Sequence, residues 1–141
     1  MHWHERSYAR PDAARMIGIS LNHLDVIIHQ NRDLVDLFSG KVGSRRLFSI
    51  QDIATLKVAH SLERFGLPWL QAIAEAFNRL ERPPPEDLLL VLTVGRSLPV
   101  VRRTISDRDV PRLPVEQSTL LVPIGRIAAS ISGAANVAIQ T

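Results

Sequence analysis

The stretch GSRRLFSIQDI, residues 43–53, decides how the first half of the chain reads. A glycine-flanked basic pair, Arg45-Arg46, runs into Leu47 and Phe48, and Ser49 then opens an apolar, helix-periodic run. Gly40 and Gly43 favour tight turns, and Leu47 and Phe48 can pin a returning strand, so a small hairpin is expected here. Its basic residues are Lys41, Arg45 and Arg46, and no acid lies between Ser39 and Gln51. Ser49-x-x-Asp52 has the form of a capping box, with Asp where Glu or Gln is usual. The spacing predicts a helix from about Ile50 to Phe65. Its apolar residues Ile50, Ile53, Leu56, Ala59 and Leu62 recur every third position, a drift that predicts contacts on more than one side.

Upstream, PDAARMIGIS reads as a short helix. Pro11 suits its first turn, Ala13, Ala14 and Ile17 form its apolar side, and Gly18 stops it. Ser20 then caps a second helix over SLNHLDVIIHQ, with Leu24, Ile27 and Ile28 on one face. Two short helices joined by a glycine-containing turn make a helix-turn-helix pattern. A further apolar cluster follows in DLVDLF. Downstream of Phe65, Gly66 and Pro68 break the chain. PWLQAIAEAFNRL predicts a further helix with Leu70, Ile73, Phe77 and Leu80 on one face, and Trp69 reads as a packing anchor.

ERPPPED, residues 81–87, holds three consecutive prolines and cannot continue a helix. Beyond it DLLLVLTV, LPVVRRTI and STLLVPI read as strands, the first two pairing through GRSLP. The tail GRIAASISGAANVAIQ reads as a short helix of small residues.

The chain of 141 residues is 45% hydrophobic and 22% charged, with a formal net charge of +3. These values fit a globular protein and hint at a polyanionic partner. It has no cysteine, which excludes disulfides and Cys-based zinc sites. The polar start MHWHERSYARPD is no signal peptide, and no apolar run approaches the roughly 20 residues a membrane span needs. A cytoplasmic protein without membrane association is expected. His2 and His4 flank Trp3 at spacing that could chelate on a strand, but no third ligand is evident, and a pair so near a chain end is expected to lack fixed geometry. His29 and His60 stand isolated, as surface residues do. No Gly-rich phosphate loop, G-x-S-x-G or H-E-x-x-H occurs, so neither catalysis nor a metal or other cofactor is expected.

Residues 7–80 resemble the winged helix-turn-helix domain of the MerR family of transcriptional regulators. GIS precedes the helix in the recognition position. RRLFSIQDI stands where the family has a Tyr-Arg-x-Tyr-type wing motif, with Arg46 at its arginine and Phe48 at its second tyrosine. ERFGLPWLQAI is similar to the family's Leu-Gly-Phe-like break and following helix. The chain departs from the family at HLDVII, residues 23–28, where a Thr-Leu-Arg-Tyr-Tyr-Glu-like run is usual: His23 takes the threonine position and Asp25 the arginine position. The second half does not resemble the family's long dimerising helix.

An α+β fold is expected: the resemblance implies a winged helix-turn-helix with four helices and a small β wing, and the strand pattern beyond the prolines adds a small β-rich C-terminal segment with a short terminal helix. The division expected is 1–82 for the DNA-binding domain, 83–87 for a proline-rich linker and 88–141 for a dimerisation or accessory segment. It implies a transcriptional regulator that binds double-stranded DNA as a homodimer, with no small-molecule effector assigned. Ser20, Asn22 and His23 stand at the start of the helix that would read bases, and Lys41, Arg45 and Arg46 would neutralise phosphates. Asp25 itself reads as a surface residue or a member of an intramolecular ion pair, for which Arg15 and Arg32 are the candidate partners. Other readings are a phage-type excisionase, packaging or architectural DNA-binding protein, and a protein-interaction module that kept the fold and lost affinity for DNA.

Overall fold

The computed structural model describes residues 2–31, 40–42, 45–114 and 116–140, with only the backbone of residues 40–42 and 137–140. The apolar cluster at 34–38, the turn at 43–44 and Arg32 lie outside them. The architecture is mixed α+β, with small antiparallel sheets.

A short strand β1 (Tyr8–Ala9) leads directly into α1 (Arg10–Ile17), which has Pro in its first turn. Gly18 ends α1 at φ 90°, in the left-handed region that favours glycine. Its N–H and that of Ile19 both donate to Ala14 O, at 2.9 and 3.0 Å. Ser20 caps α2 (Leu21–Gln30), its Oγ accepting from the His23 N–H at 3.0 Å. Strands β2 (Gly40–Val42) and β3 (Arg45–Phe48) pair antiparallel, with Lys41 opposite Arg46 and Val42 opposite Arg45. The sequence did not announce β1, which pairs with the other side of β3, Tyr8 opposite Phe48, so the sheet order is β1-β3-β2. A two-residue strand has no periodicity to read; it exists because β3 offers it a free edge.

The expected capping box opens α3 (Ile50–Arg64). Ser49 Oγ accepts from the Asp52 N–H at 3.0 Å, and Asp52 Oδ2 accepts from the Ser49 N–H at 2.8 Å. This helix is buried nearly all round and packs against α1, α4 (Trp69–Arg79) and α5 (Ile124–Gln140), as its drifting apolar spacing implied. On α4 the buried face is Ala72, Ile73 and Ala76, continued by Leu80; Leu70 is instead 62% exposed. Trp69 at the start of α4 already packs against the core, and Leu70 lies about 100° round the helix from it, so the apolar spacing placed the buried stripe one residue off.

After the prolines, β4 (Leu88–Val94) is the centre of a second sheet with order β5-β4-β6, where β5 is Val100–Ser106 and β6 is Ser118–Val122. A 3-10 turn, Asp107–Arg112, follows β5. Leu90, Leu92 and Val122 face inward and join the same core cluster as Leu24, Phe48, Leu56 and Ile73. One continuous apolar core thus runs from α1 to α5. The terminal helix is not short: α5 has 17 residues, because Ile124, Ala128, Ile131 and Ala135 keep one buried stripe across its small-residue composition. At its start a Cβ on Gly125 would collide with the carbonyl oxygens of Pro85 and Glu86. That close approach is how the proline stretch lies down on the helix.

The N-terminal segment is pinned rather than loose. Trp3 is buried, its Nε1–H donating to Leu80 O at 3.1 Å, and its carbonyl accepts from the Gln51 N–H at 3.0 Å. His4 Nδ1 lies 2.8 Å from Gln51 Oε1, and His2 lies 2.8 Å from Glu5. The indole supplies the buried area that fixes these residues despite their place near a chain end.

Candidate nucleic-acid interface

The residues expected to meet DNA fall into two groups. Ser20, Asn22 and His23 lie exposed in the first turn of α2. Arg45, exposed, and Arg46, half-buried, lie on β3, with the Lys41 backbone opposite Arg46. α1 packs against both α2 and β3 and joins the groups.

Within the first group the side chains differ in role. Ser20 is occupied as the helix cap. The rings of His23 and His60 meet edge to face with centroids 5.5 Å apart, and His60 in turn stacks on Trp69 at 6.1 Å. His60 is therefore not an isolated surface residue. Burial holds its imidazole below the usual range, aided by His23 and Arg64 and opposed by Glu63. Trp69 packs against the core as an anchor. The outward face of α2 is completed by Val26, His29 and Gln30, all exposed. They follow Asn22 at i+4, i+7 and i+8, the helical signal that extends the face beyond its first turn.

Among the described residues of this region, Asp12, Asp25 and Asp52 are each matched by an arginine. Asp25 is ion-paired, but with Arg10 Nη1 at 2.8 Å, not with Arg15, which bonds Asp12 at 2.9 Å. Arg10 directly follows β1, so the pairing of β1 on β3 delivers it to α2. Buried Asp52 takes a bond from Arg6 Nε at 3.2 Å. Desolvation raises the Asp52 carboxyl above its ordinary value, against the opposing pull of Ser49 and Arg6. The negative charge of Asp12, Asp25 and Asp52 is thus locally compensated, while Arg45 projects into solvent from a stretch without acids. A surface of this kind attracts a polyanion through its basic strand and offers hydrogen-bonding side chains beside it.

Among the described residues no group of three or more His, Cys, Asp or Glu side chains is placed to hold a metal ion. No helix among them is long and apolar enough to cross a membrane. Neither a protein-family model nor a curated protein matches the sequence.

Proposed function

We propose that residues 7–80 act as a winged helix-turn-helix that binds double-stranded DNA, and that the chain is a MerR-like transcriptional regulator working as a homodimer. α2 would lie in the major groove, with Asn22 positioned for a base edge and His23 constrained by its contact with His60. The β2–β3 hairpin would follow the phosphate backbone through Lys41, Arg45 and Arg46. The observation that carries this reading is the charge arrangement. Asp25, the acid on the groove-facing helix, is held by Arg10 at 2.8 Å, while Arg45 stays exposed.

Binding of a labelled random duplex, followed by fluorescence anisotropy over a salt series, tests it. Salt-dependent binding is expected. No binding at low salt would refute the DNA reading.

The protein-interaction reading has its own support in Leu21 and Val26, which are 37% and 49% exposed on α2. Capture of a folded protein partner through this face, with no affinity for duplex, would favour it.

A further inference from the structure

We propose that β6 pairs with β6 of a second copy, antiparallel across a two-fold axis with Leu120 opposite Leu120, to join two three-stranded sheets into one. This deepens the homodimer part of the proposed function, and the mass of the protein in solution tests it with no DNA present.

The two edges of the second sheet differ. Among the described residues, β6 is hydrogen-bonded only to β4, and so is β5. Folded proteins protect an open edge with charges, bulges or proline, because its free N–H and C=O groups template pairing with another chain. β5 has that protection: Arg102 and Arg103 are both exposed in mid-strand. Antiparallel self-pairing of β5 centred on either would set guanidinium groups against their own copies. β6 has no such protection. Gln117 to Ile124 carries no charged residue, and the interruption is Pro123, which lies just beyond the strand's end.

Symmetry narrows the register. A two-fold axis normal to a sheet keeps each side chain on its own face, and directly opposed residues share a face. Opposed residue numbers must then sum to an even number, so one residue meets its own copy. An axis at Leu120 uses the whole strand: Ser118 meets Val122 and Thr119 meets Leu121. Leu120 packs against the core on the inner face, so the axis would bring two cores together. A neighbouring cleft of about 360 Å³, lined by Ser61, Arg64, Phe65, Leu121, Val122 and Pro123, leaves room beside the strand's end. Phe65, 44% exposed, supplies apolar surface there for the second copy to cover. A five-residue pairing is small for a stable interface, so dissociation on the order of micromolar is expected.

The chain contains no cysteine, so a single introduced thiol reports one position. Directly opposed residues in an antiparallel pair have Cα atoms about 4.5–5.5 Å apart, within disulfide range. Sedimentation equilibrium should show mass rising from monomer toward dimer with concentration. Mild oxidation should cross-link Leu120→Cys efficiently, with a maximum at that position in a cysteine scan of 118–122, and should leave Val101→Cys on β5 uncross-linked. A monomer at every concentration overturns the proposal, as does a dimer that cross-links through position 101 and not 120. A maximum at 119 or 121 overturns the Leu120 axis. A monomer that binds duplex refutes the pairing and leaves the DNA reading standing; a dimer that binds none does the reverse.

Discussion

Replacing Trp3 measures how firmly the first residues are held to the rest of the protein. The indole is 3% exposed. It belongs to the apolar core and lines a cleft shared with Pro83, Pro84 and the small residues Ala128 and Ala129 of α5, and its N–H reaches Leu80 O at 3.1 Å. Truncating a buried aromatic to alanine costs about 3–5 kcal/mol, because the transfer energy of the ring is lost and a cavity remains. Trp3→Phe separates the hydrogen bond from the packing. Leu80 O also accepts from Gln51 Nε2 at 3.2 Å, so loss of the indole N–H leaves no orphaned carbonyl. The cost of that variant should stay near 1–2 kcal/mol. Urea unfolding followed by far-ultraviolet circular dichroism reads both. With a slope of about 2 kcal/mol per molar urea, Trp3→Ala should lower the midpoint by about 2 M and Trp3→Phe by less than about 1 M. A loss below about 1 kcal/mol for Trp3→Ala would show that the N-terminal segment is not docked in solution.

Gly125→Ala should destabilise by more than about 2 kcal/mol, since its Cβ would collide with the Pro85 and Glu86 carbonyls. Gly133→Ala, in the same helix with open space around it, should be neutral or stabilising by up to about 1 kcal/mol, and thermal melts of both variants check the contrast. Asp25→Ala should cost less than about 1 kcal/mol of stability, because its pair with Arg10 is well exposed. The same variant should tighten duplex binding at low salt by up to about fivefold, as Arg10 is released from its pair and one net positive charge, worth about 1 kcal/mol, is gained; weaker binding in anisotropy titrations would contradict the placement of α2 against DNA. His60 has a folded pKa depressed mainly by burial, so the unfolded chain takes up its proton first as pH falls. Stability linked to His60 is present above about pH 6.5 and is lost as pH falls from there toward the depressed value. His60→Gln should flatten the change in urea midpoint between neutral and mildly acidic buffer, and an unchanged pH dependence would contradict this.

What the sequence made legible is what short-range chemistry dictates. Gly18 and Ser20 mark the end of α1 and the start of α2, and the Ser49–Asp52 box marks the start of α3. Alternating and continuous apolar runs mark β4, β5 and β6, and their turn GRSLP marks the first pairing. The features that escaped depend on partners far along the chain. Trp3 is fixed by Leu80, 77 residues away. Arg10 reaches Asp25 only because β1 pairs with β3. His60 looked isolated, yet two rings from other helices close on it. Leu70 carried a helical spacing signal but lies about 100° round α4 from Trp69, which packs against the core, and is exposed. In the candidate interface, the basic pair and the first turn of α2 were legible as residue types. The constraint on His23 and the compensation of Asp25 were not, because neither follows from neighbours in sequence.

The DNA reading is tested most directly by the salt slope of duplex binding for the wild type and for Arg45→Ala, alone and with Arg46→Ala. Each phosphate contact contributes about 0.9 to the slope of log affinity against log salt. The proposed interface predicts binding at about 50 mM salt, with the slope reduced by about one unit in the single variant and about two in the double. Absence of binding, or a slope unchanged by both substitutions, would contradict it.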